Sequence, residues 1–173
     1  KRSLLVIILL LSAFAKAQDY YFAKYTPFQQ NIPTPEQYLG YGIGDQHTRH
    51  DQIVSYLEKL AEVSDRATII EYGRTHEGRK LVMFTVTTPE NHTNLASIKQ
   101  QHLAFTNTSQ KVSNYDQVPI FIQLGYNVHG NEPSSSEAAL LTAYTLVASE
   151  HPEVVNYRKN AIIFIDPTIN PDG

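Results

Sequence analysis

The 173-residue sequence contains no cysteine, no tryptophan and a single methionine. Without cysteine no disulfide can form, so the fold must depend on its apolar core and on any metal that other side chains bind. The sequence also lacks a run of basic residues, and its formal charge is −3. This charge gives no reason to expect nucleic acid or an anionic membrane surface as a partner. The length is that of one domain with a substantial core.

The first residues have the pattern of a targeting segment. Lys1 and Arg2 precede an apolar run over residues 4–11, and an A-x-A pattern ending at Ala17 follows. We therefore predict a secretory signal peptide over residues 1–17, cleaved after Ala17, and a secreted or periplasmic protein with no membrane association after cleavage. The apolar run is too short to span a bilayer, which makes a retained N-terminal anchor the less favoured alternative.

The rest of the chain divides near residue 46. Residues 18–46 are rich in Tyr, Phe, Gln, Pro and Gly, and we interpret them as an extended lead-in whose aromatic side chains pack on the domain surface. Residues 47–173 carry alternating helix and strand patterns. These patterns predict an α/β fold with a mixed parallel/antiparallel sheet flanked by helices. The expected early elements are a helix over 51–63, beginning near His50 or Asp51, a hairpin formed by 67–72 and 80–87, and a helix over 94–105.

The most informative stretch runs from residue 119 to residue 139. Residues 120–124 are almost continuously apolar, which predicts a central strand buried on both faces, as in a parallel sheet. A turn carrying His129 and Glu132 follows, and Ser134 and Glu137 have the spacing of a capping box that opens a helix. A second apolar strand over 161–166 completes a strand–helix–strand unit. Ligands of open α/β sheets bind at the edge where such turns lie.

The spacing of His129 and Glu132 suits a metal. Two side chains three residues apart in a tight turn can converge on one point, and an imidazole nitrogen with a carboxylate oxygen suits Zn²⁺. A catalytic zinc site uses three protein ligands and leaves a position for water. The alternative is an ordinary loop histidine beside a solvated glutamate, because H-x-x-E alone also occurs by chance. The strand before the turn and the capped helix after it favour the metal.

Other candidates near this edge are weaker. His47 and His50 have no acidic or cysteine partner beside them. His151 lies beyond a helix, roughly 20 Å from Glu132, and is interpreted as a cation near a helix C-terminus. For Asp166, a role in orienting a zinc-bound histidine and a role in capping the loop at Pro167 both stay open. The charged residues of the hairpin turn are interpreted as solvated; they are Arg74, His76, Glu77 and Arg79.

Three segments together resemble the metallocarboxypeptidase family, the carboxypeptidase A-like zinc peptidases. The segment GYNVHGNEPSSSEAA at 125–139 resembles the family's zinc-binding segment, YGRTHEGRKL at 72–81 resembles its hairpin, and INPDG at 169–173 resembles the N-P-D-G loop. The resemblance covers about residue 50 onward. It implies a zinc carboxypeptidase-like fold, one Zn²⁺ with His129 and Glu132 as ligands, and a peptide or protein substrate cleaved at its carboxyl end.

The same resemblance implies that other parts of the site lie beyond Gly173. These parts are a third zinc ligand, a His, together with a Glu general base and the arginines that bind a terminal carboxylate. Asn131 stands where some family members have Arg, so no role of that Arg transfers to this chain. We expect residues 47–173 to form the N-terminal part of a catalytic domain. Alone, this part is predicted to bind zinc weakly and to hydrolyse nothing.

Two other functions remain open at this point. One is a zinc amidohydrolase of the aspartoacylase type, which also carries an H-G-N-E motif, although the hairpin and the N-P-D-G loop argue against it. The other is a non-catalytic exported peptide-binding relative. The sequence leaves the side-chain preference for a substrate and the oligomeric state undetermined.

Overall fold

The computed structural model describes residues 17–107 and 115–173. Its centre is a four-stranded sheet in the order β1-β2-β4-β3. The strands are β1 (Ala67–Arg74), β2 (Lys80–Val86), β3 (Ile120–Gly125) and β4 (Ala161–Asp166). β1 pairs antiparallel with β2, β2 antiparallel with β4, and β3 parallel with β4. The predicted mixed sheet is therefore confirmed.

Seven helices surround the sheet in the described ranges, together with a 3₁₀ turn at Tyr115–Gln117. The predicted helices over 51–63 and 94–105 are present, each with a start one residue away from the prediction. Most of residues 1–17, the predicted signal peptide, lies outside the described residues. Within the described ranges, no helix combines the length and the apolar character that crossing a membrane requires. The helices are α1 (Ala17–Ala23), α2 (Pro35–Leu39), α3 (His50–Val63), α4 (Pro89–Thr93), α5 (Leu95–Phe105), α6 (Pro133–Ala148) and α7 (Pro152–Asn160).

The main core lies between one sheet face and helices α3 and α6. Apolar residues recur at helical spacing on α3, which presents an apolar stripe to the sheet, whereas α6 is apolar on most faces and is buried along much of its length. Fully buried side chains from all three layers meet there. They include Leu57 and Leu60 of α3, Phe84 of β2, Leu140 and Val147 of α6, and Ile165 of β4.

The sequence predicted an extended segment over residues 18–46. The structure instead places two helices there, most of α1 and all of α2. Some of the segment's aromatic side chains do pack on the domain, whereas Tyr20 and Tyr21 are exposed. The rings of Phe22 and Phe28 lie 5.0 and 5.1 Å from the ring of Tyr144 in α6. Ile32 is 2% exposed. Burial of these apolar side chains attaches the segment to α6. The prolines do not oppose the helices, because Pro35 occupies the first position of α2, where proline is favoured.

The prediction that β3 is a central strand buried on both faces is wrong for the described residues. β3 lies at an edge of the sheet and pairs only with β4 there. Ile120 is 55% exposed and Phe121 is 37% exposed. Phe121 contacts His102 of α5, with ring centroids 4.5 Å apart. An apolar run identifies a strand, but its position in the sheet depends on which other strands pair with it.

The helix boundaries correct one further expectation and show one unpredicted contact. α6 begins at Pro133 with Glu132 as its N-cap, and no side chain caps it. Because Pro133 already occupies the first helical position, Ser134 lies inside the helix and does not form a capping box with Glu137. His151 is the N-cap of α7, where its ring Nδ1 accepts from the backbone N–H of Glu153 at 3.3 Å. The ring is therefore part of the start of α7, a contact that the sequence did not predict.

Candidate metal centre and the adjoining cleft

A tight turn between β3 and α6 carries His129 and Glu132. The backbone N–H of Glu132 donates to the carbonyl of His129 at 2.9 Å, which closes the turn. Before it, Asn127 adopts a φ of +52°, a left-handed conformation that asparagine tolerates better than most residues. The hydroxyl of Ser135 accepts from the Asn127 N–H at 2.8 Å and ties the turn to the first residues of α6.

The turn brings the two predicted ligands together. His129 Nδ1 lies 3.4 Å from Glu132 Oε1, and the two side chains are 74% and 61% exposed. Two atoms that bind one tetrahedral zinc at about 2.0–2.2 Å lie roughly 3.3–3.6 Å apart. The observed separation and the donor types therefore fit a zinc ion. Among residues 17–107 and 115–173, no cluster of three or more His, Cys, Asp or Glu side chains could hold a metal.

The N-P-D-G loop packs directly against this turn. The N–H of Ile169 donates to the carbonyl of Tyr126 at 2.9 Å, and the N–H of Asn170 donates to the carbonyl of Asn127 at 3.2 Å. A Cβ on Gly130 would lie 2.1 Å from the carbonyl oxygen of Asn170. Only glycine allows this approach. The two motif loops thus meet at one edge of the sheet.

Asp166 does not orient the ring of His129. Its carboxylate is buried, and its Oδ2 accepts from the hydroxyl of Tyr72 at 2.6 Å. Its Oδ1 has no hydrogen-bond partner within residues 17–107 and 115–173. Burial, and then the hydrogen bond to Asp166, raise the pKa of Tyr72 to about 12. This hydrogen bond links β1 to β4 across β2. The side chain of Asp166 therefore neither orients a zinc-binding histidine nor caps the loop at Pro167, the two roles that the sequence left open.

Arg79 is more than a solvated residue of the hairpin turn. Its guanidinium donates to Asp172 Oδ1 at 2.6 Å, and the N–H of Glu77 donates to Asp172 Oδ2 at 3.1 Å. Partial burial alone would raise the pKa of the Asp172 carboxyl. Hydrogen bonds from the Thr75 hydroxyl, Arg79 and the Glu77 backbone outweigh that effect and hold this pKa below its usual range. An ion pair and a backbone hydrogen bond therefore connect the hairpin turn to the N-P-D-G loop.

A cleft of about 770 Å³ lies beside residues 127–132, which we call the metal turn after its two candidate ligands. Asn127 and Gly130 of the turn line it, whereas His129 and Glu132 do not. The Arg and Lys side chains that line the cleft all form ion pairs, so its walls carry little unpaired positive charge. These pairs are Arg49–Asp51, Arg74–Glu71, Arg79–Asp172 and Lys80–Glu58.

Sequence reasoning missed one wall of this cleft. Thr48, which is 2% exposed, lines the cleft and donates its hydroxyl to Glu137 Oε1 at 2.8 Å. The two residues are 89 positions apart, and no local pattern connects them. The sequence shows only that Glu137 is the one charged residue of α6. It does not show the partners of this carboxylate, because a buried carboxylate takes its donors from elsewhere in the fold.

Solved structures with this fold include carboxypeptidases. The crystal structure of carboxypeptidase A from Helicoverpa armigera superposes with a TM-score of 0.52 at 20% identity, covering 90% of this chain and 31% of that one. The crystal structure of thrombin activatable fibrinolysis inhibitor has a TM-score of 0.51 at 17% identity, covering 73% of this chain and 26% of that one. At these identities the similarity establishes the fold.

Sequence comparison identifies the family. Carboxypeptidase E of Caenorhabditis elegans is 30% identical over 154 residues, which cover 81% of this chain and 28% of that protein. The chain thus spans less than a third of the length of these relatives. The family model described as "Zinc carboxypeptidase" matches residues 53–173, which include the hairpin, the metal turn and the N-P-D-G loop. The chain therefore belongs to the zinc carboxypeptidase family.

Proposed function

We propose that this chain is part of an exported zinc-dependent carboxypeptidase that hydrolyses peptide bonds at the carboxyl end of peptides or proteins. The observation that carries the proposal is the 3.4 Å separation of His129 Nδ1 and Glu132 Oε1 within the family-matched region. The exposure of both side chains supports access for an ion and for a substrate.

Three residues of the turn have a defined task in this proposal. His129 and Glu132 supply a nitrogen and an oxygen ligand to one Zn²⁺. The ion, when bound, lowers the pKa of a coordinated water and polarises the carbonyl to be cleaved. Gly130 leaves room for the N-P-D-G loop, whose two backbone hydrogen bonds hold the turn in place. The third ligand and the Glu general base are proposed to come from residues other than those described.

The first test measures metal content and hydrolysis in the protein expressed from the complete gene. We expect one zinc per chain and release of C-terminal residues from peptides. His129→Ala and Glu132→Gln should lose both zinc and activity, because each removes one ligand. His76→Ala, which changes an exposed histidine of the hairpin turn, is the matched control and should keep both. Residues 1–173 expressed alone should bind zinc weakly and cleave nothing.

Three results would contradict the proposal in different ways. Zinc retained at full occupancy by His129→Ala would show that the ion is held elsewhere. Cleavage of acylated amino acids but not of peptides would favour an amidohydrolase of the aspartoacylase type. Zinc binding and peptide binding without any cleavage would favour a non-catalytic relative. N-terminal sequencing of the protein recovered outside the producing cell tests export, and the expected first residue is Gln18.

A further inference from the structure

Glu137 is a buried carboxylate with an unusual set of partners. It lies in the second turn of α6 and is 6% exposed. It accepts three hydrogen bonds, from the N–H of Gly44 at 3.1 Å, the N–H of Thr48 at 3.1 Å and the hydroxyl of Thr48 at 2.8 Å. Hydrogen bonds to a charged acceptor are stronger than neutral ones, particularly out of water. Glu137 therefore fastens residues 44–48, which we call the anchored segment, to α6.

The anchored segment is shaped for this attachment. Gly44 has a φ of +92°, a conformation that favours glycine, and it places its N–H towards Glu137. Tyr41 donates its hydroxyl to the Thr48 hydroxyl at 3.0 Å, so Thr48 can accept one hydrogen bond while it donates another to Glu137. The attachment thus involves both ends of the segment.

The anchored segment forms one side of the cleft beside the metal turn. His47 and Thr48 line it from that side, and Asn127, Gly130 and Gly173 line it from the side of the motif loops. Ser136, the residue before Glu137, also lines it. The family-matched region begins at residue 53, so the anchored segment lies outside that region.

We propose that Glu137 is a positioning residue for substrate binding, which holds the anchored segment as a wall of the cleft at a fixed place relative to the metal turn. The proposal rests on the proposed function. One helix provides the link, because α6 has Glu132 as its N-cap and carries Glu137 five residues later. A substrate peptide that enters the cleft then contacts the anchored segment, whose position is fixed relative to Glu132, a proposed zinc ligand, because both are attached to α6.

The test compares Glu137→Gln with Glu62→Gln in the complete protein. Glu62 is an exposed glutamate of α3 and provides the same chemical change without burial. In Glu137→Gln we expect amide hydrogen exchange at residues 41–50 to become about tenfold faster or more, because the anchoring hydrogen bonds weaken. The KM for a peptide should rise about fivefold or more, while kcat and zinc content stay near those of the wild type. Glu62→Gln should change none of these quantities.

A second pair of variants tests the same hydrogen bonds without changing Glu137, so the inference stays testable if Glu137→Gln misfolds. Thr48→Val replaces the hydroxyl with a methyl group and keeps the backbone N–H that donates to Glu137, so it should raise KM less than Glu137→Gln does. Thr48→Ser keeps the hydroxyl and should have the wild-type KM.

Equal KM values for wild type, Glu137→Gln and Thr48→Val would overturn the inference while leaving the proposed function intact. A loss of zinc in these variants would also overturn it, since the role would then be structural support of the metal turn. A wild-type protein that cleaves no peptide overturns the proposed function itself, and with it the substrate role of Glu137.

Discussion

The guanidinium of Arg79 lies 2.6 Å from the carboxylate of Asp172 and joins two motifs that are 93 residues apart in the sequence. Arg79 is the last residue of the hairpin turn, and Asp172 belongs to the N-P-D-G loop. The same loop packs on Gly130 and donates hydrogen bonds to residues 126 and 127. The ion pair therefore supports, through one loop, the turn that carries His129 and Glu132.

The Arg79–Asp172 pair should make stability depend on pH in the acid range. The pKa of Asp172 is lower in the folded state than in the unfolded chain, so its contribution is fully present above the unfolded value, about 3.9. The contribution is lost as the pH falls through the folded value. We expect Asp172→Asn to lower the thermal midpoint at pH 7, with the difference from the wild type shrinking below about pH 4. Thermal unfolding followed by circular dichroism between pH 2 and 7 measures this, and a difference that stays constant over that range would refute it.

Gly130 should tolerate no side chain. The added Cβ of Gly130→Ala would lie 2.1 Å from Asn170 O and 2.7 Å from Gly173 Cα and N, and all three are backbone atoms. Relief of this overlap requires the two loops to separate, at a cost of about 1–3 kcal/mol in the free energy of unfolding. Urea denaturation measures the loss, and zinc affinity should fall with it.

Gly73→Ala provides the control for this substitution. An added Cβ there would meet only Leu81 Cδ1 at 3.8 Å, an ordinary contact, so we expect a change within about 0.5 kcal/mol. Equal stability losses in the two variants would mean that the close approach of the loops is not what Gly130 provides.

The Tyr72–Asp166 hydrogen bond should be visible in an alkaline titration. Because the pKa of Tyr72 is raised to about 12, its phenol should ionise later than the ordinary value of about 10. Its stabilising effect is present below about pH 10 and is lost as the pH rises towards 12. The difference in phenolate absorbance between wild type and Tyr72→Phe isolates this group, and a difference curve centred near pH 10 would contradict the assignment.

The same substitution should also reduce stability at neutral pH. In Tyr72→Phe the buried carboxylate of Asp166 loses its observed hydrogen-bond donor, and we expect a loss of about 1–3 kcal/mol in the free energy of unfolding. Tyr20→Phe, at a side chain that is 82% exposed, should have little effect. Urea denaturation of the two variants at pH 7 makes the comparison.

Local pattern was sufficient for much of the fold. Three predicted elements are present in the structure: α3 matches the helical spacing over 51–63, and β3 and β4 match the apolar runs at 120–124 and 161–165. They could be predicted because the pattern of apolar residues is a local property of the sequence. The edge position of β3 among the described strands was not accessible in this way. Strand order depends on pairing between distant segments, and an apolar strand has the same sequence pattern at an edge as at the centre.

Local spacing likewise predicted some features of the candidate site, whereas others appeared only in the tertiary structure. The H-x-x-E spacing was enough to place His129 and Glu132 within one turn, because three residues span little distance. The role of Glu137 could not be deduced, since S-x-x-E is compatible with a capping box and the true partners lie 89 and 93 residues away. The ion pair of Arg79 was missed because a charged residue in a hairpin turn is usually solvated.

By itself, the sequence determined the family, the mixed α/β fold and the turn that holds the two proposed ligands. These features depend on short-range spacing and on motifs whose order along the chain is preserved. Tertiary structure alone decided which side chains from distant segments meet: Arg79 with Asp172, Tyr72 with Asp166, and Glu137 with Gly44 and Thr48. The physical reason is that a buried or partly buried charge must find its partners in space, and the fold of the whole chain determines which groups are within reach.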